Sequence, residues 1–418
     1  MIAKQAQSPN ITIRTEMKKR HRLVLKDAWN RVLKVELRDP PAVSSNYVKF
    51  ARSLARSQTM LNSFGRLEPD CGGTALAELA KAGRIFLASV LRRPKQEYEE
   101  FLTFLQVACP GWVDGRPDVP LLHIVSGKAE YFPWELLPLF DVRWNERVDD
   151  FVGLQDACRI FPAFSAIVER RFPDSEEADP CLYTTPEGRL PLRFCWNADL
   201  EGARAELGHL RTRPITLEGP YPCHGAKTAP SFVDQLTDPR LALSGGRLRH
   251  ADEVLHISCH AIADIEAEPK RLEYHLADDE GKCVVIDLDD VVGEFFSSWD
   301  RAKVQGVLSL PLVFLNACGT GLMDPVSAMS LLEPFRINQN RGVIATLGNL
   351  PDRVAAKYSK AFYNVLLGPG SVTVGEALHA AKWRLLEELG NPIGMLYSLH
   401  GSSRLQVAPT NTNGEKMP

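Results

Sequence analysis

Short apolar runs of strand length alternate along this chain with stretches of helical period, and that alternation restricts the fold more than any other feature. LLHIVS (121–126), RIFPAF (159–164), LPLRFCW (190–196) and RPITL (213–217) read as strands, and the series resumes at EVLHISC (253–259), CVVIDL (283–288), LPLVFLNA (310–317) and GVIATL (342–347). Runs apolar at nearly every position suit strands covered on both faces, the situation of a parallel sheet with helices above and below. The expected class is therefore α/β, with a largely parallel sheet flanked by helices. The strand series occurs twice, and 418 residues exceed what one hydrophobic core usually organises, so two α/β halves are expected.

Punctuation between the runs supports helices. A helical pattern starts at Thr74 with Leu76, Leu79, Phe86, Leu87 and Val90 on one side, and a second helix follows Pro94. Asp352 can cap a helix through Val354, Tyr358, Phe362 and Leu366 that stops at Gly368-Pro369-Gly370, and Thr373 with Glu376 forms a capping box for the next, closed by Gly390-Asn391-Pro392. At the amino end, residues 11–38 alternate apolar and charged positions around DAWNR, the pattern of a hairpin with one wet face, and Lys18, Lys19, Arg20 and Arg22 make it basic. A solvated edge protected by its charges is the plainer reading of that segment, and a docking or nucleic-acid surface the other. Pro40, Pro41 and Cys71-Gly72-Gly73 set off residues 1–73 as a hairpin-and-linker extension, and residues 408–418 are expected to be a disordered tail.

Several function classes drop out on composition. A net charge of -3 and a pI near 6.4 give no general attraction to nucleic acid or anionic lipid. No signal-peptide pattern and no bilayer-length apolar run is present, so a cytoplasmic protein is expected. The 9 cysteines are odd in number and contain no C-x-x-C pair, which suggests neither a disulfide framework nor a metal site, and most are expected to be reduced, buried and inert.

One cysteine is differently placed. LVFLNACGTG (312–321) aims a buried strand at Cys318 and surrounds the thiol with Ala317, Gly319 and Gly321. Ligands of open parallel sheets bind beyond the carboxyl ends of the strands, and small neighbours let a substrate backbone approach closely. The thiol needs a base, and His260, expected just past the end of EVLHISC, has the matching position. His256 is expected to point away from it as structural support. Cys158 in QDACR and Cys223-His224-Gly225 imitate parts of this pattern without a preceding buried strand.

The arrangement, with 58 positions separating 260 from 318, is close to the caspase signature. The sequence resembles CHAT-domain proteins, the caspase-like branch of the caspase, separase and gingipain clan. HISCHA (256–261) is similar to the family's H-x-x-C-H-G and FLNACGTG (314–321) to its S/N-A-C-x-T-G. FPWELL (132–137), DLEGARAE (199–206) and the run from Gly342 through GEALHAAKWRLL to NPIGMLYSLHG agree with further landmarks, so the resemblance covers residues 74–407, as a non-catalytic half (74–240) and a catalytic half (241–407).

The resemblance implies a cysteine endopeptidase with Cys318 as nucleophile and His260 as proton carrier, needing no metal or cofactor. Backbone N–H groups of Ala261 and Cys318 would form the oxyanion hole, with alanine standing where the family usually has glycine. Asn316, Gly319, Gly348 and Asn349 would line the substrate pocket. Relatives with an acidic residue two before the cysteine bind a basic P1 side chain, so the uncharged Asn316 implies a neutral or apolar P1. Asp352 matches a family aspartate but is expected mainly to cap its helix, and the charged stretch from Asp264 to Lys282 is expected at the cleft rim. The partners implied are a protein substrate and a separate activator or receptor protein, in bacterial antiviral defence or regulated cell death, with no membrane and no direct nucleic-acid binding expected. The competing reading is a catalytically inactive pseudoprotease acting as a signalling or binding scaffold.

Overall fold

The computed structural model describes residues 10–16, 21–63, 65–109, 119–125, 132–139, 148–171, 180–223, 241–244, 247–264, 271–293, 310–317, 332, 335 and 340–410; the side chains of 241–250 and 263–272 fall outside that description. The chain forms two compact units that do not follow the expected boundaries at 73 and 240. One comprises Met1–Ser175, Met323–Ala328 and Leu378–Ser398, the other Glu176–Leu322, Met329–Ala377 and Leu399–Pro418.

In the first unit, strands β1 (Ile11–Glu16), β2 (Arg22–Asp27) and β3 (Val32–Glu36) form an antiparallel meander turning at DAWNR as expected. It is not a separate extension, because β1 pairs in parallel with β4 (Leu121–Val125), and β4 with β5 (Ile167–Arg171). Residues 40–73 correct the linker expectation. They contain helix α1 (Pro40–Leu61) and the first turn of α2 (Pro69–Val90), each opened by proline in its first turn. The signal was present, since Val43, Tyr47, Phe50, Leu54 and Leu61 recur at helical spacing and are buried. Helix α3 (Pro94–Ala108) follows as expected. RIFPAF is not a strand but the junction of α4 (Phe151–Arg159) and the short α5 (Pro162–Ser165); proline ends the extended reading and the true strand is β5. PWELL forms a 3-10 turn (Trp134–Leu136) in which buried Glu135 accepts from Arg170 Nε at 2.9 Å, while Arg170 Nη2 donates to the Phe132 carbonyl at 3.0 Å.

The second unit holds β6 (Cys181–Tyr183), β7 (Leu190–Trp196), helix α6 (Glu201–Leu210) and β8 (Ile215–Tyr221). A separate hairpin, β9 (Leu241–Ser244) with β10 (Arg247–His250), precedes β11 (Val254–Asp264), β12 (Arg271–Ala277) and β13 (Cys283–Asp287). Then come β14 (Leu310–Ala317), β15 (Asn340–Thr346), α7 (Asp352–Leu366), α8 (Val374–Leu389), β16 (Tyr397–Gly401) and β17 (Gln406–Ala408), the last paired with β6. Helix α8 and strand β16 carry residues of both units.

Strands β8, β7, β11, β14 and β15 lie side by side in that order and are all parallel, so this unit is an α/β fold around a parallel sheet. Residues on one face, among them Leu255, Ile257, Cys259, Val313, Leu315, Ala317, Val343 and Ala345, form a buried apolar cluster with Tyr274, Ile286 and Phe335. The opposite face meets α6 and α7 through His256 and Phe314. Where α6 and α7 touch, a Cβ on Gly202 would lie 2.2 Å from the Asp352 carbonyl oxygen, so only glycine fits.

The amino ends of the central strands are fastened by buried charges. Arg341 pairs with Glu253, and its Nε donates to the Leu310 carbonyl at 2.7 Å.

Candidate functional site

β11 is one continuous strand of 11 residues that changes partners midway. Val254 to Cys259 run parallel to β14, ending at the pair Cys259 and Ala317. From His260 onward the strand pairs antiparallel with β12, His260 opposite His275 and Ala261 opposite Tyr274. His260 therefore does not lie past the strand end, as expected from the sequence, but at the changeover, and it is exposed. The residue after Ala317 in the chain is Cys318; it and Gly319 lie outside the described residues.

Side chains at 256, 258 and 260 share a face of the strand, so His256 points the same way as His260 rather than away from it. What separates them is depth. His256 is wholly buried, its Nε2 at 2.7 Å from Glu206 on α6 and its Nδ1 at 3.0 Å from the Tyr363 hydroxyl on α7. Glu206 also accepts a hydrogen bond from Asn316 Nδ2. One buried carboxylate thus holds donors from β11 and β14, two residues before the position of Cys318 on one strand and four before His260 on the other.

This corrects the place of Asn316. It is 4% exposed and its amide is committed to Glu206, so its side chain belongs to the fold and not to an open P1 pocket, and a neutral P1 preference no longer follows from it. Thr346 at the end of β15 is a further residue that sequence reasoning missed. Its hydroxyl donates to the Ala317 carbonyl at 2.7 Å, fixing the last described residue of β14.

Ala261 keeps extended strand geometry and packs partly against the apolar cluster, and alanine adopts that conformation as readily as glycine. Beside His260, His275 Nε2 lies 2.8 Å from Glu273. Gly348 and Asn349 follow β15, the first buried and the second exposed. Contrary to the expectation from the sequence, Asp352 is the first residue of α7 and not its N-cap, which is Pro351. Its Oδ1 accepts from Arg353 N at 2.7 Å and its Oδ2 from Gly202 N at 3.0 Å, serving α6, whose N-cap Leu200 has no side-chain acceptor. Of the charged stretch 264–282, residues 265–270 lie outside the described residues and most of the rest is β12; Asp278 forms the β12–β13 turn by accepting from Glu280 N at 3.1 Å and Lys282 N at 2.8 Å.

A family model for the CHAT domain matches residues 100–394. The chain belongs to the CHAT domain family. No curated protein matches it. Among solved structures, this CHAT domain is similar to the Porphyromonas gingivalis RgpB complex of pro- and mature domains, at 11% identity over 77% of this chain and 71% of that one, with a TM-score of 0.40. It is also similar to the Arg-specific cysteine proteinase gingipain R (11% identity, 77% and 70% covered, TM-score 0.41) and to the Saccharomyces cerevisiae separase–securin complex (9% identity, TM-score 0.45). The last match takes in 96% of this chain but spans 30% of that separase chain.

Three other thiols of this CHAT domain are poor nucleophiles. Burial pushes Cys109 and Cys195 up to about 12 and Cys158 well above the ordinary thiol range. The QDACR imitation therefore places an inert cysteine inside helix α4. Cys223 is exposed, and the His224 and Gly225 that complete the other imitation lie outside the described residues. Among the described residues no group of side chains could hold a metal, and no helix is long and apolar enough to cross a membrane.

Proposed function

We propose that this CHAT domain is a cysteine endopeptidase in which Cys318 attacks a peptide carbonyl and His260 carries the proton. The observation that carries this reading is the register of β11 on β14. Paired residues of adjacent strands lie about 4.8 Å apart and consecutive Cα atoms about 3.8 Å apart. The Cys259–Ala317 pair is followed in the sequence by His260, still on β11, and by Cys318, the residue after the end of β14.

In the proposed reaction His260 accepts the thiol proton and Sγ bonds to the carbonyl carbon. The resulting oxyanion takes hydrogen bonds from the N–H groups of Ala261 and Cys318. Collapse breaks the C–N bond as His260 returns its proton to the leaving amine, and water then hydrolyses the thioester, regenerating the thiol. Gly319, Gly348 and Asn349 border the cleft in this reading. In keeping with the family, the substrate is a dedicated protein partner and the switch is another chain, in bacterial antiviral defence or regulated cell death.

The test is covalent capture. A peptide acyloxymethyl ketone should label the wild type at Cys318, label Cys318→Ala not at all, and label His260→Gln about 100-fold more slowly. N-terminal sequencing of fragments from candidate partners, co-expressed with wild type and with Cys318→Ala, then locates the cut. A wild type that neither labels nor cleaves any partner, with its switch supplied, would establish the scaffold reading instead.

A further inference from the structure

The amino-terminal meander has an open edge whose chemistry is specific. Strand β3 ends the sheet order of the first unit. Leu37 N donates to the His21 carbonyl at 2.9 Å and Asp27 N to the Arg31 carbonyl at 3.1 Å, which fixes the odd-numbered residues of β3 as those bonded to β2. The N–H and C=O groups of Val32, Lys34 and Glu36 consequently face outward. Those of Glu36 are taken, its carbonyl by Arg92 N at 3.0 Å and its N–H by Glu97 at 3.3 Å. Val32 and Lys34 present theirs to the outside. Alongside runs a groove of about 550 Å³, lined among others by the half-buried Leu33 and Phe104, the exposed Val107, and Glu99 and Glu100.

Charge distinguishes the two faces of this edge. The acids between residues 10 and 38 are Glu16, Asp27 and Glu36, and each already pairs with an arginine, Arg22, Arg31 and Arg92 respectively. Arg14, Lys26 and Lys34 stand exposed on the outer face and have no ion pair among the described residues. Register interleaves them with Thr12, Val24 and Val32, not with aromatic rings, so the face offers no platform for stacking bases.

We propose that β3 receives an extended segment of a partner protein that alternates acidic and apolar residues. Pairing with Val32 and Lys34 would place its acidic side chains over the cationic outer face and its apolar side chains in the groove toward Leu33 and Phe104. Glu99 and Glu100 oppose the reversed arrangement. This inference is independent of the peptidase reading, because nothing in it involves His260 or Cys318.

The experiment uses the full chain as Cys318→Ala and a fluorescein-labelled ten-residue peptide alternating glutamate and valine, with a lysine–valine peptide and an oligo-uridine RNA as competitors. The expected result is saturable anisotropy with the acidic peptide alone, new hydrogen-exchange protection at the amides of Val32 and Lys34, and an affinity loss of about tenfold or more in Lys26→Glu/Lys34→Glu. Val32→Pro, which removes one outward N–H and leaves the β2 ladder intact, should weaken binding without altering the charge. Absence of binding, unchanged amide exchange at 32 and 34, charge-reversed protein binding equally well, or displacement by oligo-uridine would each overturn it.

Discussion

Glu206 sits where two strands hand a helix their donors, and substitution there separates a carboxylate from an amide of the same shape. Asn316→Asp would set a second carboxylate against Glu206 in a site closed to water, and a cost of about 3–5 kcal/mol is expected from an uncompensated buried charge. Adding Glu206→Gln should restore most of that stability, since the glutamine amide can donate to the introduced carboxylate while its oxygen still accepts from His256. Urea midpoints for both single variants and the double variant decide it; an Asn316→Asp protein as stable as the wild type would remove Glu206 from the network. The strand leading to Cys318 was legible because a buried strand leaves a local apolar run, whereas the place of His260 inside β11 was not, because the change of partners at that residue leaves no such pattern. The partners of Asn316 were not, because Glu206 lies far off in sequence and a buried carboxylate looks like any other helix glutamate until its neighbours are known.

Helices and strands were read well where their period was clean and poorly where proline intervened. β14 occupies Leu310–Ala317 as read from LPLVFLNA, and the Thr373–Glu376 box forms with both of its bonds, Thr373 N to Glu376 at 2.8 Å and Glu376 N to Thr373 at 3.2 Å. Prolines at 40 and 41 were read as breakers when they were helix starts. At this scale Gly202→Ala should cost about 2 kcal/mol or more, by driving α6 off the amino end of α7. Inside α8, burial lowers Lys382 to about 8 despite the attraction of Glu135. Its folded pKa lies below its ordinary one, so the unfolded chain binds more protons between pH 8 and 10.5, and stability rises with pH across that window. Lys382→Met should accordingly stabilise the protein at about pH 7, by about 1–3 kcal/mol, and the gain should shrink toward pH 10.5. Denaturation at both pH values reads the difference, and a gain that grows with pH would contradict the assignment.

For the whole molecule, the α/β class and the parallel sheet were legible, since buried parallel strands write themselves as apolar runs. The division into units was not, because the chain returns. Leu378–Ser398 belongs to the first unit and supplies buried Leu385, Leu386 and Ile393, and Asn391 Nδ2 donates to the Leu61 carbonyl at 2.7 Å. Contact across such a distance leaves no periodic trace. A fragment of residues 1–175 should therefore fail to unfold cooperatively on its own, and a peptide of 378–398 added in trans should restore a transition; a sharp melt of the fragment alone would show that the returning segment is dispensable.

Strand β11 gives His260 a double mounting. His260 stands at the point where one continuous strand leaves the parallel sheet and becomes the first rail beside the β12–β13 hairpin. His260 and the hairpin thus belong to one continuous stretch of backbone, so the residue is held by the hairpin's ladder as well as by the parallel sheet.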